Sequence, residues 1–231
     1  NAMVNPLVGL SMQGVIWYQG ENNTNRAKEY YHLFPAMIND WRKKWGKDFP
    51  FYWVQLANYM DVVEVPSESL WAQVREAQTQ TLSLSHTGQA VIIDIGEAKD
   101  IHPKNKQEVG RRLALHALHN DYGFSDVVCE SPMPKTVRRV QDKIVVQFDN
   151  VADGLIVKNK YGYLMSFAVA GNDGVYKWVQ AKVAGKDRVV LSCPDVIDPV
   201  SVRYAWGDNP DDANLYNSVG LPATPFEIKI E

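Results

Sequence analysis

Hydrophobic positions along the chain fall into two textures, and the change comes near residue 127. Over residues 1–126 short apolar runs alternate with longer amphipathic ones, the pattern of a parallel sheet wrapped by helices. Residues 14–18, 51–56 and 90–95 are apolar on both faces, as strands covered from both sides must be. Between them, residues 26–45 place Tyr30, Leu33, Phe34, Met37, Ile38 and Trp41 at helical spacing and stop near Gly46. Residues 68–84 put Leu70, Val74, Ala77 and Thr81 on one side, with Ser67 as the expected cap. A third helix is expected after His102, with Pro103 in its first turn, Val109, Leu113 and Leu118 on its apolar side, and Gly123 after its end. Beyond residue 127, β-branched and aromatic runs are separated by Gly, Asn and Asp. Residues 137–140, 143–148, 163–170, 175–182, 188–192 and 200–206 read as strands of an antiparallel sandwich, with Pro132 and Pro134 at the hinge. The expected organisation is an α/β domain over residues 1–126 and a β-rich, sandwich-like domain over residues 127–231.

Composition narrows the classes of function. A chain of 231 residues, 45% hydrophobic and with seven Trp, is long enough to bury a substantial core. Its 24 basic and 27 acidic residues create no field that would gather nucleic acid or an anionic membrane, so a small neutral or mildly charged ligand is the expected partner. No apolar run approaches the roughly 18 residues of a membrane span. Cys129 and Cys193 are too few for a disulfide framework and lie in no C-x-x-C or Cys/His metal pattern; they read as two small thiols. Asn1-Ala2-Met3 does not read as a signal peptide.

In an open parallel sheet, chemistry gathers at the carboxyl ends of the strands. After the first expected strand comes Gln19-Gly20-Glu21-Asn22-Asn23, a turn dense in amides and carboxylate; after the third comes Gly96 to Pro103, with Asp100 and His102. A histidine acting as general base is oriented through its second ring nitrogen, and a carboxylate also stabilises the imidazolium. Asp100, two residues before His102, projects to the same side of an extended segment. Glu21 is the rival, reaching from the neighbouring loop. Gln19, Asn22, Asn23 and the Gly20 backbone N–H are the candidate donors for an oxyanion. His32, His86, His116 and His119 lack such a setting and read as structural or solvated, and Arg75 reads as a helix-face residue.

Four blocks carry a resemblance. Val15 to Asn22, Trp71 to Gln78, Asp100-Ile101-His102-Pro103-Lys104, and Arg203 to Pro210 with Asn214-Leu215-Tyr216 and Gly220-Leu221-Pro222 closely resemble, in order, the bacterial sialate O-acetylesterases. These are SGNH-type carbohydrate esterases related to certain acetylxylan esterases. The resemblance implies part of a three-layer α/β/α, flavodoxin-like sheet and hydrolysis of acetyl esters on sugar hydroxyls by a Ser–His–acid mechanism, with no metal or organic cofactor. It implies His102 as the base. The superfamily pattern Asp-x-x-His would put the acid at position 99, where this chain has Lys99; Asp100 matches an Asp-x-His-Pro variant, and related acetylxylan esterases draw the acid from the loop that here holds Glu21. Asn22 departs from the small residue common after that Glu, which leaves the oxyanion amide open between Asn22 and Asn23. The family nucleophile lies in a Gly-Gln-Ser-Asn-Met turn that is absent from these residues. Ser11, in Gly9-Leu10-Ser11-Met12, precedes a strand where a nucleophile must follow one. The chain is therefore expected to be the carboxyl-terminal portion of a longer esterase, inactive alone, periplasmic or secreted by resemblance. Its incomplete sheet should leave an edge that self-associates. Two alternatives stand beside this reading: an acetylxylan esterase of the same architecture, and a glycan-binding accessory module using Tyr161, Tyr163, Tyr176 and Trp178 as an aromatic platform.

Overall fold

The computed structural model describes residues 2–231. Strands β1 (Val15–Trp17), β2 (Phe51–Val54) and β3 (Thr87–Ala90) form a parallel sheet in the order β1-β2-β3. Side chains alternate across β2, and this alternation assigns the helices. Phe51 and Trp53 join an apolar cluster with Tyr30, Phe34 and Ile38 of α1 (Ala27–Trp45) and Val74 and Ala77 of α2 (Leu70–Gln80). Tyr52 and Val54 join another with Val109 and Leu113 of α3 (Lys106–Asn120). The sheet is thus covered on both faces, which is why the residues of β2 are all buried and why the sequence there shows no polar alternation.

Several local expectations shift. The run at 90–95 is not a strand: β3 ends at Ala90, and Val91, Ile92 and Ile93 are buried without continuing the ladder. Their apolarity serves a second partner, because Val91 and Ile93 enter the core of the β-rich part while Ile92 faces the α3 side. Ser69, not Ser67, caps α2, its hydroxyl accepting from Ala72 N at 2.8 Å. Pro103 lies outside α3, which starts at Lys106 behind Asn105, whose side chain accepts from Glu108 N. Asn105 therefore performs the capping that Pro103 was expected to accompany.

The β-rich part is two four-stranded antiparallel sheets. One has β4 (Met133–Val140), β5 (Lys143–Asp149), β10 (Arg188–Ser192) and β9 (Gln180–Ala184) in the order β4-β5-β10-β9; the other has β13 (Phe226–Lys229), β11 (Ser201–Tyr204), β7 (Phe167–Ala170) and β8 (Tyr176–Trp178) in the order β13-β11-β7-β8. Ile144, Val146 and Leu191 from the first sheet pack with Phe167, Val202 and Tyr204 from the second in one core. The expected strand at 175–182 is two strands in two different sheets, and Val179 between them donates its N–H to Phe167 O. Pro134 is not in a hinge but inside β4, at a break in register between Pro134 and Thr136, where a residue without an N–H is tolerated. A two-stranded ribbon of β6 (Leu155–Val157) and β12 (Leu215–Asn217), together with β13, had no counterpart in the hydrophobic pattern because each is only three or four residues long. Cys129 and Cys193 are free and buried, and burial pushes the Cys129 thiol up to about 11.

The two parts are fastened by buried polar groups as well as by Val91 and Ile93. Arg75, fully buried in α2, donates to the carbonyls of Leu56 and Ala57 on its own side and of Gly207 and Asp208 on the other. Arg203 of β11 reaches back to Glu68 and also pairs with Glu227. Arg112 of α3 forms a bidentate pair with Asp94, which accepts in turn from Tyr216 Oη.

Candidate functional site

The Gln19–Asn23 loop leaves β1 through a backbone turn that only glycine adopts easily. Gly20 has φ +156°, and a Cβ there would sit 3.1 Å from both Gln78 Nε2 and Leu56 Cδ2. Gln78, buried on α2, is the connecting piece: its Nε2 donates to Gln19 O and its Oε1 accepts from Leu56 N. The loop after β1 is thereby held to the loop after β2. Within it, Gln19 Nε2 donates to Asn23 Oδ1 at 2.7 Å, and Tyr30 Oη donates to Gln19 Oε1 at 3.2 Å. The Gln19 side chain is therefore consumed by structure, while the Asn23 carbonyl is fixed and its amide hydrogens remain for another acceptor. Asn22 is exposed, and Glu21 is half-buried in a turn of 3-10 helix, Glu21–Arg26. Tyr18 Oη is buried with no hydrogen-bond partner among the described residues; burial, and secondarily Glu21, pushes it up to about 12.

The second loop is anchored at its start. Gly96 N donates to Asn58 Oδ1 at 2.7 Å, and a Cβ on Gly96 would lie 2.1 Å from Asn58 O, so only glycine allows this approach. Asn58 Nδ2 donates to Asn209 Oδ1, and Asn209 Nδ2 to Met60 O. Met60 N donates to Ala98 O, so the loop that carries the histidine is stitched to residues 58–60 and through them to the β-rich part. Ile101 is turned inward against the α1–α2 cluster. Asp100 and His102 then point outward, their side chains 43% and 85% exposed.

Asp100 Oδ1 accepts from His102 N at 2.9 Å and lies 3.6 Å from His102 Nδ1. The first is a hydrogen bond that fixes the turn. The second is an ion-pair distance too long for a hydrogen bond. Among the described residues no hydrogen bond or ion pair joins Glu21 to His102. Ser11 is exposed and precedes β1. The other histidines are occupied or peripheral: His116 is buried, its Nε2 3.0 Å from Gln89 O and its ring stacked on Tyr52, and burial lowers its pKa. His119 Nδ1 meets Val127 O, His86 meets Asp48, and His32 is exposed on α1.

Sequence reasoning missed the residues that hold these loops, namely Asn58, Gln78 and Asn209. Their signal is weak, since an amide that satisfies buried backbone looks the same in a sequence as one that faces water. Arg75 lies on α2, as expected, but on its buried side, where among the described residues it meets four carbonyls and no carboxylate; burial lowers its pKa to about 9, so it stays cationic at neutral pH.

With this geometry in hand, comparison with known proteins is informative. The sequence model of the family described as carbohydrate esterase, sialic acid-specific acetylesterase, matches residues 1–119. The sialate O-acetylesterase of Homo sapiens is 30% identical over 254 residues, covering 98% of this chain and 47% of that protein; that of Mus musculus is 30% identical over 261 residues, covering 100% and 47%. A crystal structure of a carbohydrate acetylesterase from Xanthomonas citri superposes with a TM-score of 0.91 at 44% identity, over 98% of this chain and 52% of that one. The chain spans about half the length of the curated relatives it matches.

Proposed function

This chain belongs to the carbohydrate esterase family of sialic acid-specific acetylesterases, and from that premise we propose that the protein hydrolyses acetyl esters on sugar hydroxyls, with His102 as its general base. The α/β part is read as a portion of a three-layer SGNH hydrolase sheet, residues 1–126, followed by a separate β-rich domain, residues 127–231. The nucleophilic Ser comes from a segment outside these residues. In the reaction, His102 takes the Ser proton as the hydroxyl oxygen attacks the acetyl carbonyl, and returns it to the departing sugar oxygen. Asp100 stabilises the imidazolium and selects the tautomer. The oxyanion is met by the Gly20 N–H and by the amide of Asn23 or Asn22, with Gln19 as their support.

The observation that carries this reading is the pairing of Asp100 Oδ1 with His102 Nδ1 at 3.6 Å on an exposed ring. A base left open to solvent on a loop that is otherwise tied down at Asn58 and Ile101 has its place fixed and its partner still to come. Glu21 has no such contact with His102 and is the second choice for the acid. A periplasmic or secreted location accompanies the family reading; among the described residues no helix is long and apolar enough to cross a membrane.

The test is an esterase assay of this chain beside a longer protein that includes the nucleophile segment, with acetylated sialic acid and acetylated xylan as substrates. Turnover is expected only in the longer form, lost in His102→Ala, and the preferred substrate separates a sialate esterase from an acetylxylan esterase. Hydrolysis by this chain alone, abolished by His102→Ala, overturns the external nucleophile. Full activity of His102→Ala in the longer form overturns the base.

A further inference from the structure

Of the four aromatic residues expected to form a platform, two are engaged within the fold. Tyr176 is half-buried under the Arg203 guanidinium, 3.7 Å from its ring, with its hydroxyl bonded to Ser201. Trp178 donates its indole N–H to Glu64 O. Tyr161 and Tyr163 are another matter: both are 69% exposed, with ring centroids 6.4 Å apart and planes inclined by 30°.

The loop that presents them is fixed. Asn159 Oδ1 accepts from Tyr161 N and Gly162 N, and its Nδ2 donates to Tyr163 O at 2.6 Å. Asn214 Nδ2 donates to the same carbonyl at 2.8 Å, and its Oδ1 accepts from Met165 N. Leu164 is buried and bridges to Ala181 of β9. Backbone this well tied holds an exposed tyrosine at low ordering cost, which is what a binding surface needs and a core does not. Tyr163 then rims a cleft of about 690 Å³ on the outer face of the β9–β10–β5 sheet. Strand alternation turns Ile144, Leu191 and Ala181 inward and Lys143, Ser192, Gln180 and Lys182 outward into this cleft.

We propose that this cleft, lined by no residue of the Gln19–Asn23 or Gly96–Pro103 loops, is a second carbohydrate site that takes an anionic sugar residue of a glycan. A lining in which the Tyr163 ring, Leu164, Met165 and Val190 lie beside the hydroxyl, amide and ammonium groups of Ser192, Gln180 and Lys182 matches a pyranose, which has an apolar C–H face and a rim of hydroxyls. The charge selects the sugar. Lys143 donates to Ser192 Oγ at 2.9 Å and is offset by Asp142 at 3.2 Å, whereas Lys182 has no carboxylate partner among the described residues. An ammonium facing a cleft with one net positive charge favours a carboxylate-bearing sugar over a neutral one. The choice of a glycan as ligand rests on the acetylesterase reading; the site's residues do not overlap those of the proposed catalytic loops.

The experiment is a titration of this chain, by chemical-shift perturbation or calorimetry, with 3′-sialyllactose and with lactose, neither of which carries an acetyl ester. Saturable binding of sialyllactose is expected, at least about tenfold tighter than lactose, and weakened to the level of lactose by Lys182→Gln. Tyr163→Ala should weaken both sugars. Because both side chains are exposed, both variants should keep the wild-type melting temperature. No saturable binding, equal binding of the two sugars, or binding indifferent to Tyr163→Ala overturns the site. If the longer enzyme nevertheless hydrolyses its acetylated substrates, the second site fails and the esterase reading stands.

Discussion

Replacing Arg75 by methionine tests how much its buried cation contributes to fastening the two parts. The substitution keeps most of the side-chain volume and removes four hydrogen bonds, to Leu56 O at 2.8 Å, Ala57 O at 2.7 Å, Gly207 O at 2.5 Å and Asp208 O at 2.9 Å. Two of those carbonyls keep a donor: Ala57 O still has the Trp71 indole, and Asp208 O still has Tyr59 N. Leu56 O and Gly207 O are left bare. A buried polar group without a partner costs about 1–3 kcal/mol, so the two together cost roughly 2–6 kcal/mol. Relief from desolvating the guanidinium offsets part of this, and a net loss of about 3 kcal/mol is expected. For a chain of this size each kcal/mol moves Tm by roughly 2–4 °C, so a drop of about 6–12 °C should appear in a thermal melt. The control is Arg111→Met. Arg111 makes two bonds of 2.7 Å to Glu108, but its side chain is 46% exposed, and an exposed pair is worth less than about 1 kcal/mol. If Arg75→Met melts within a few degrees of Arg111→Met, the carbonyl cluster is not the fastening described above.

Four further outcomes follow from the geometry. Gly96→Ala should push the loop away from Asn58 O, lowering stability by about 2–4 kcal/mol and abolishing turnover in the longer enzyme; an unchanged melt and rate would show that the close approach is dispensable. Asp100→Asn in the longer enzyme should lower kcat by roughly 10²-fold or more with little change in KM, while Glu21→Gln should cost less than about tenfold; the reverse order assigns the acid to Glu21. Glu108 is held down to about 2, from an ordinary 4.5, by its hydrogen bonds to Arg111 and then Arg112; its folded-state pKa is depressed, so its stabilisation is complete above about pH 5 and is lost as pH falls toward 2, and Glu108→Gln should flatten the acid limb of a stability–pH curve in that window. Ile16, 71% exposed on edge strand β1, should drive concentration-dependent association that light scattering detects and Ile16→Lys suppresses; a monodisperse wild-type monomer refutes it.

What the sequence made legible follows from what local chemistry encodes. The α1 helix was readable because its apolar stripe from Tyr30 to Ile38 repeats at helical spacing and Gly46, at φ +62°, stops it. The loop after β1 was readable because Gly20 and its amides break an apolar run; Asp100 and His102 are near each other through a turn closed by Asp100 Oδ1 on His102 N, not through the extended segment expected. The stretch Val91–Ile93 misled because burial has the same signature whether the neighbour is a strand in the same sheet or the core of another unit. The ribbon strands β6 and β12 were invisible for the complementary reason: three residues pair through backbone that any side chain can supply. The loop-holding roles of Asn58, Gln78 and Asn209 were not legible because their partners lie up to 151 positions away and exist only once the chain has closed.

The burial of Val91 and Ile93 among strands made from the last hundred residues has a temporal meaning. During synthesis the amino-terminal part leaves the ribosome first, yet two of its own apolar residues must wait for partners as late as Phe226 to emerge. The segment leading into the His102 loop therefore settles last, although it is made early. A nascent chain halted before the second unit is complete should keep that segment open to protease and chaperone, and a destabilising lesion anywhere in the sandwich should reach the His102 loop as lost yield of correctly closed molecules.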